Sequence, residues 1–159
     1  MADSAQDYDE AKAELQIEAV PDKLPLVFEF VESKLAAILN PKCSEEELTH
    51  LLVAVEEIFV NIADYAYGEE KTGMVCIQAE VENNPPQIAV RFSDEGTPWN
   101  PLLREDPDVS LPARKRKPGG LGIFMAKKLV TGMDYERLDG QNILTLTKQF
   151  KFKEIAKQD

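Results

Sequence analysis

The sequence is poor in several residue types, and each shortage removes a class of protein from consideration. Its 159 residues include two cysteines, Cys43 and Cys76. These are too few for a disulfide framework, and they fit no metal-ligand spacing. The single histidine, His50, falls inside a helical pattern, where a lone imidazole is far more often structural than reactive. No apolar run reaches the roughly 18 residues of a membrane-spanning helix. The start of the chain, Met1 to Asp7, is acidic and polar and lacks the basic and apolar regions of a signal peptide. A cytoplasmic protein is the simplest reading. Basic residues are also scarce, 18 Lys and Arg against 29 Asp and Glu, for a net charge of −11. Such a chain repels phosphate backbones at long range, which argues against generic nucleic-acid binding and against direct contact with DNA. A nucleotide is not excluded, because backbone N–H groups and a cation can offset repulsion locally. The one basic run, Arg114-Lys115-Arg116-Lys117, stands out against this background.

What is present suits one globular domain, with 43% hydrophobic and 30% charged residues. Residues 1–12 are expected to be a frayed tail, 13–150 the domain and 151–159 a second tail. Leu15, Ile17 and Ala19 alternate with polar neighbours, as in a half-buried strand closed by Pro21. A helix over Leu24 to about Asn40 follows from Val27, Phe28, Val31, Leu35 and Ile38. Ser44-Glu45-Glu46-Glu47 fits a capping box, with Ser44 capping and Glu47 reaching back. It opens a helix whose apolar face runs from Leu48 to Ile62 and which Gly68 ends. Two strands around the Asn83-Asn84-Pro85-Pro86 turn come next. From Asp94 to Pro118 the chain holds five prolines and little periodicity, as expected of a turn leading into a mobile loop. Gly119-Gly120-Leu121-Gly122 opens a helix that Gly132 is expected to cap, and a hairpin through Asp139-Gly140 closes the domain. Hairpin-joined strands with interleaved helices point to an α+β fold, a two-layer sandwich of a mostly antiparallel mixed sheet with helices on one face.

Three places carry chemistry. On the helix from Ser44, Glu57, Asn61 and Asp64 fall within about 60° of one another, opposite the leucine-rich face. The stripe could simply be a helix's polar outside, but Val53, Ala54 and Val60 flank it and suit an open surface poorly. A carboxylate there can take a proton from a hydroxyl, and an amide oxygen suits a hard cation such as Mg²⁺. Asp94-Glu95-Gly96 follows a strand and reads as a tight turn, or as a carboxylate placed to accept a hydrogen bond from a ligand amine. The glycines of Gly119 to Gly122 let backbone amides approach a phosphate at a helix amino terminus. They form neither a Walker A loop nor a dinucleotide fingerprint.

In this order, Glu57-x-x-x-Asn61, Asp94-x-Gly96 and Gly119-Gly120-Leu121-Gly122, the motifs resemble the ATP-binding (Bergerat-type) fold shared by gyrase B, Hsp90, histidine kinases and MutL. Within that GHKL superfamily the nearest likeness is to the bacterial anti-sigma factor serine/threonine kinases, over roughly residues 13–150. The resemblance implies Glu57 as general base, Asn61 holding Mg²⁺, Asp94 on the adenine amine and Gly96 allowing close approach of the base. It further implies that Gly120, Leu121 and Gly122 offer amides to the phosphates of ATP or ADP, beneath a lid from Leu102 to Pro118. Thr145 would make a water-mediated adenine contact.

Two departures stand out: Tyr65 replaces a histidine common among relatives, and Pro98 replaces a second glycine after Asp-x-Gly. By resemblance, the partners are a sigma factor and a small Ser/Thr-bearing antagonist protein that the domain phosphorylates, with dimers common among such proteins. The alternative is a regulator that binds nucleotide, or nothing, and acts by docking alone.

Overall fold

The computed structural model describes residues 14–38, 44–68, 72–83, 85–103, 105–106, 108, 110–112, 114 and 121–151. The alternating segments are strands: β1 (Glu14–Glu18), β2 (Met74–Asn83), β3 (Pro86–Asp94), β4 (Gly132–Leu138) and β5 (Gln141–Gln149). The helical periodicities give α1 (Leu24–Leu35), α2 (Glu45–Tyr65) and α3 (Leu121–Leu129). The strands form one sheet in the order β1-β2-β3-β5-β4, and each of these pairings is antiparallel. The fold is α+β, as the hairpin-joined strands imply.

Register decides which side chains share a face. Leu15, Ile77, Phe92, Leu144 and Tyr135 lie in one row across the sheet. The next row toward the strand ends is Ile17, Val75, Asp94, Asn142 and Arg137. The helices cover this face, burying Phe30 and Leu35 of α1, Leu51, Ile58 and Phe59 of α2, and Ile123 and Ala126 of α3 in one apolar cluster. The residues between, such as Gln16, Glu80, Arg91 and Thr145, take the opposite face. That leaves one side polar, as is common for an antiparallel sheet.

Helix ends follow the expected chemistry in part. Ser44 Oγ accepts the Glu46 N–H at 3.2 Å, and three glutamates in the first turn complement the helix dipole. Glu47 does not complete a capping box: its Oε2 accepts the Lys151 N–H at 2.9 Å, tying the chain beyond β5 to the start of α2. Gly68 has φ +74°, the left-handed geometry that stops α2. Gly132 does not cap α3 but opens β4. The carbonyl of Leu129 is met instead by Lys148 Nζ at 2.9 Å, a buried cation at a helix carboxyl terminus. Asp139 and Gly140, with φ 51° and 79°, form the two-residue turn between β4 and β5.

Tyr67 joins three elements just past α2. Its hydroxyl donates to the Met74 carbonyl at 2.5 Å and accepts the Glu95 N–H at 2.9 Å. A β-carbon at Gly73 would collide with the Tyr67 ring, so glycine is required there for the ring to lie across the start of β2. Burial, opposed in part by the Glu95 N–H bond, raises the phenol above its usual pKa, and the charges of Asp94 and Glu95 add to the rise.

Two outcomes are expected. Phe59→Ala, at a fully buried position, should lower the unfolding free energy by about 3–5 kcal/mol in denaturant titrations. Tyr67→Phe should cost about 1–2 kcal/mol. A raised folded-state pKa favours the neutral phenol. Its stabilisation is therefore complete below the unfolded value near 10 and lost as pH rises through the folded value. Above pH ~10 the wild type should thus lose stability more steeply than Tyr67→Phe.

Candidate functional site

A cavity of about 500 Å³ lies between α2, the amino terminus of α3 and the helix-facing ends of β3, β4 and β5. That volume is in the range of small-molecule sites. The α2 stripe is one wall: Glu57 and Asn61 are half-buried, Asp64 is exposed, and all three line the cavity. At Glu57 the stripe is not a solvated outside, because the first turn of α3 lies against it. A β-carbon at Gly122 would collide with Glu57 Oε2, so the absent side chain lets the first turn of α3 close onto this carboxylate. Leu121 and Gly122 both line the cavity. Gly120 and residues 115–119 lie outside the described residues, and Arg114 is exposed.

Asn61 Nδ2 donates to the Glu57 carbonyl one turn back at 2.6 Å. Its Oδ1 makes no hydrogen bond among the described residues and is free to serve as a ligand. Among those residues no group of three or more His, Cys, Asp and Glu could hold a metal. A cation here would rest on the Asn61 oxygen together with oxygens brought by the bound molecule, a donor set that suits Mg²⁺ at phosphates.

At the far end Asp94, 5% exposed, closes β3. Its Oδ1 accepts the Gly96 N–H at 2.9 Å and Asn142 Nδ2 at 3.0 Å. No hydrogen bond reaches Oδ2 among the described residues. No buried side-chain nitrogen or oxygen among them lacks a partner. Oδ2 must therefore be accessible, and the space that Asp94 lines is the cavity.

The following turn is fixed by its backbone. The Glu95 N–H goes to Tyr67, the Thr97 N–H to the Ala66 carbonyl at 2.8 Å, and the Trp99 N–H to Asn142 Oδ1 at 3.2 Å. Arg137 Nη1 holds the Gly96 carbonyl at 2.9 Å. Gly96 has a packing reason to be glycine, beside the ligand approach that the resemblance implies. A β-carbon there would strike the Ala66 carbonyl and lie 2.6 Å from Ala66 Cβ, so the turn could not dock on the end of α2.

Thr145 requires a correction. It pairs with Arg91 and Asp134 on the open face, away from the cavity, because strand alternation puts Asn142 and Leu144 inward. Asn142, at 7% exposure, is the residue the motifs missed. Nδ2 donates to Asp94 and to the Thr97 carbonyl (2.9 Å), and Oδ1 accepts from Trp99 N–H and from the Tyr135 hydroxyl (2.5 Å). Its signal was available: an asparagine in phase with Leu144 and Leu146 sits on the buried face of a strand, where an amide must be fully paired.

Comparison with known proteins agrees with this architecture. A curated relative, the serine/threonine-protein kinase BtrW of Bordetella bronchiseptica, is 24% identical over 97 residues, covering 61% of this chain and 67% of that protein. The crystal structure of the RsbU and RsbW domains of Rv1364c from Mycobacterium tuberculosis superposes with a TM-score of 0.56 at 16% identity. That match takes in 91% of this chain and 35% of the other, so this chain spans about a third of the protein it resembles. The family model of the histidine kinase-like ATPase domain matches residues 17–148, nearly the whole described fold, and the chain belongs to that family.

Proposed function

We propose that this chain binds ATP in the α2–α3 cavity and passes its γ-phosphoryl group to a serine or threonine of a small antagonist protein, as an anti-sigma regulator in a partner switch. The observation that carries this reading is Asp94: a buried carboxylate with one oxygen fully engaged and the other turned to a nucleotide-sized cavity. An ATPase domain implies an adenine nucleotide. The likeness to a protein named as a serine/threonine kinase supports a hydroxyl as the acceptor.

In this reading Asp94 Oδ2 accepts a hydrogen bond from the adenine amine, and Trp99, Pro98 and Leu144 supply apolar wall around the base. The amino terminus of α3, with Leu121 and Gly122, turns backbone N–H groups and the positive end of the helix dipole toward the phosphates. Asn61 Oδ1 would hold Mg²⁺, which when bound neutralises phosphate charge. Glu57 sits beside that helix end, where it can take the proton as the acceptor oxygen bonds to γ-phosphorus and ADP departs with the bridging oxygen. Phosphoryl transfer demands mainly positioning and charge stabilisation, which these elements provide on rigid secondary structure. The sigma factor and the antagonist are the partners this reading assigns.

Two measurements test it. Saturating Mg-ADP, at about a hundred times its Kd, should stabilise the wild type by about 2.7 kcal/mol in thermal unfolding, and Asp94→Asn should abolish the shift. An unshifted wild type at millimolar nucleotide would sink the site and favour docking alone. Glu57→Gln should bind ADP as the wild type does yet transfer phosphate about 10²–10⁴-fold more slowly to an antagonist protein. Transfer at full rate would remove Glu57 from the chemistry.

A further inference from the structure

All four hydrogen-bonding positions of the Asn142 amide are used, and one of them engages a single oxygen of Asp94. Asp94 Oδ1 accepts from Gly96 N–H and from Asn142 Nδ2, which occupies both of its lone pairs. The amide cannot turn over to release it. Its second proton is on the Thr97 carbonyl, and its own oxygen receives Trp99 N–H and the Tyr135 hydroxyl. A flip would set amide oxygen against the Asp94 carboxylate and the Thr97 carbonyl, and would set NH₂ against the Trp99 N–H. With Asp94 and Asn142 both buried, water is poorly placed to relieve either clash.

The base end therefore presents one carboxylate oxygen rather than two. A carboxylate with both oxygens free pairs in parallel with two adjacent donors, the arrangement that guanine offers through N1–H and its 2-amino group. Adenine offers one exocyclic amine beside a ring acceptor and needs a single oxygen. We propose that Asn142 is a specificity-determining residue: by consuming Asp94 Oδ1 it restricts the site to a single-donor purine edge and so selects adenine over guanine nucleotides. This rests on the nucleotide-binding reading above and adds to it the exclusion of a competing base.

Equilibrium binding of ADP and GDP to the full chain by calorimetry separates the possibilities. The wild type should prefer ADP by at least about 100-fold, because a site built around one hydrogen-bond pattern rejects a base with another. Asn142→Ala, which removes one of the two hydrogen bonds on Oδ1 and leaves that of Gly96 N–H, should narrow that preference by about tenfold or more. Asn142→Thr, whose hydroxyl can donate to Oδ1, should keep the wild-type preference. A purely structural role would weaken both nucleotides by the same factor in Asn142→Ala, and that result overturns the proposal. So does a wild type that binds ADP and GDP equally, an outcome that needs no variant to fold and leaves the nucleotide site standing. A wild type that binds neither nucleotide removes the site and the proposal together.

Discussion

A carboxylate that is 5% exposed at the end of a sheet costs several kilocalories per mole unless neighbouring donors compensate it. Here the compensation is the cross-strand hydrogen bond from Asn142 on β5 to Asp94 on β3, joined by the Gly96 N–H. The rest of the base end depends on that bond. Once Asn142 faces Asp94, its remaining donor and acceptors reach the Thr97 carbonyl, the Trp99 N–H and Tyr135, so the wall of the cavity is fixed by the same side chain. The end of α2 is drawn in as well, through the Ala66 carbonyl and the Tyr67 hydroxyl. One polar network thus orients β3, β4, β5 and the end of α2 around a common point, with no buried side-chain nitrogen or oxygen among the described residues left unpaired.

The opposite end of the cavity is built on another principle. Glu57, Asn61 and Gly122 are held by helix geometry: spacing on α2 aligns the carboxylate and the amide, and the glycine lets α3 approach them. This end offers a carboxylate, an amide oxygen with no hydrogen bond among the described residues and a helix terminus, groups that can act on charge. The base end acts through the direction of hydrogen bonds. In the proposed reading, base discrimination and phosphate handling fall to separate parts of the cavity, the first to the sheet and the second to the helix pair.

Much of this was legible in the sequence because it rests on local periodicity. Alternation located the strands, the 3.6-residue pattern located the helices, and Ser44, Gly68 and Asp139-Gly140 marked ends and a turn through their own backbone chemistry. The α2 stripe was legible for the same reason. What escaped depends on contacts distant in the chain. Glu47 is claimed by Lys151, more than a hundred positions away, rather than by its own helix. The last carbonyl of α3 is met by Lys148, so Gly132 is released to begin a strand. The packing of Gly96 against Ala66, which demands a glycine there, could not be read from the Asp-x-Gly motif. Thr145 was the attractive polar residue on the last strand, yet parity placed it outward and gave the inner position to Asn142.

That parity is set by the turn between β4 and β5. Two residues, Asp139 and Gly140, both in the left-handed region, fix where β5 begins relative to β4. Since the side-chain period of a strand is two, lengthening or shortening this turn by one residue favours a register that exchanges the faces of β5. Ile143 and Thr145 would then look toward the helices, and Asn142 would look away from Asp94. Asp139 and Gly140 themselves line no part of the cavity, yet the length of their turn is a condition for Asn142 to face Asp94. Substitutions within the turn are therefore open to drift so long as both backbone conformations are kept, whereas single-residue insertions and deletions there are closed to a lineage that retains the site.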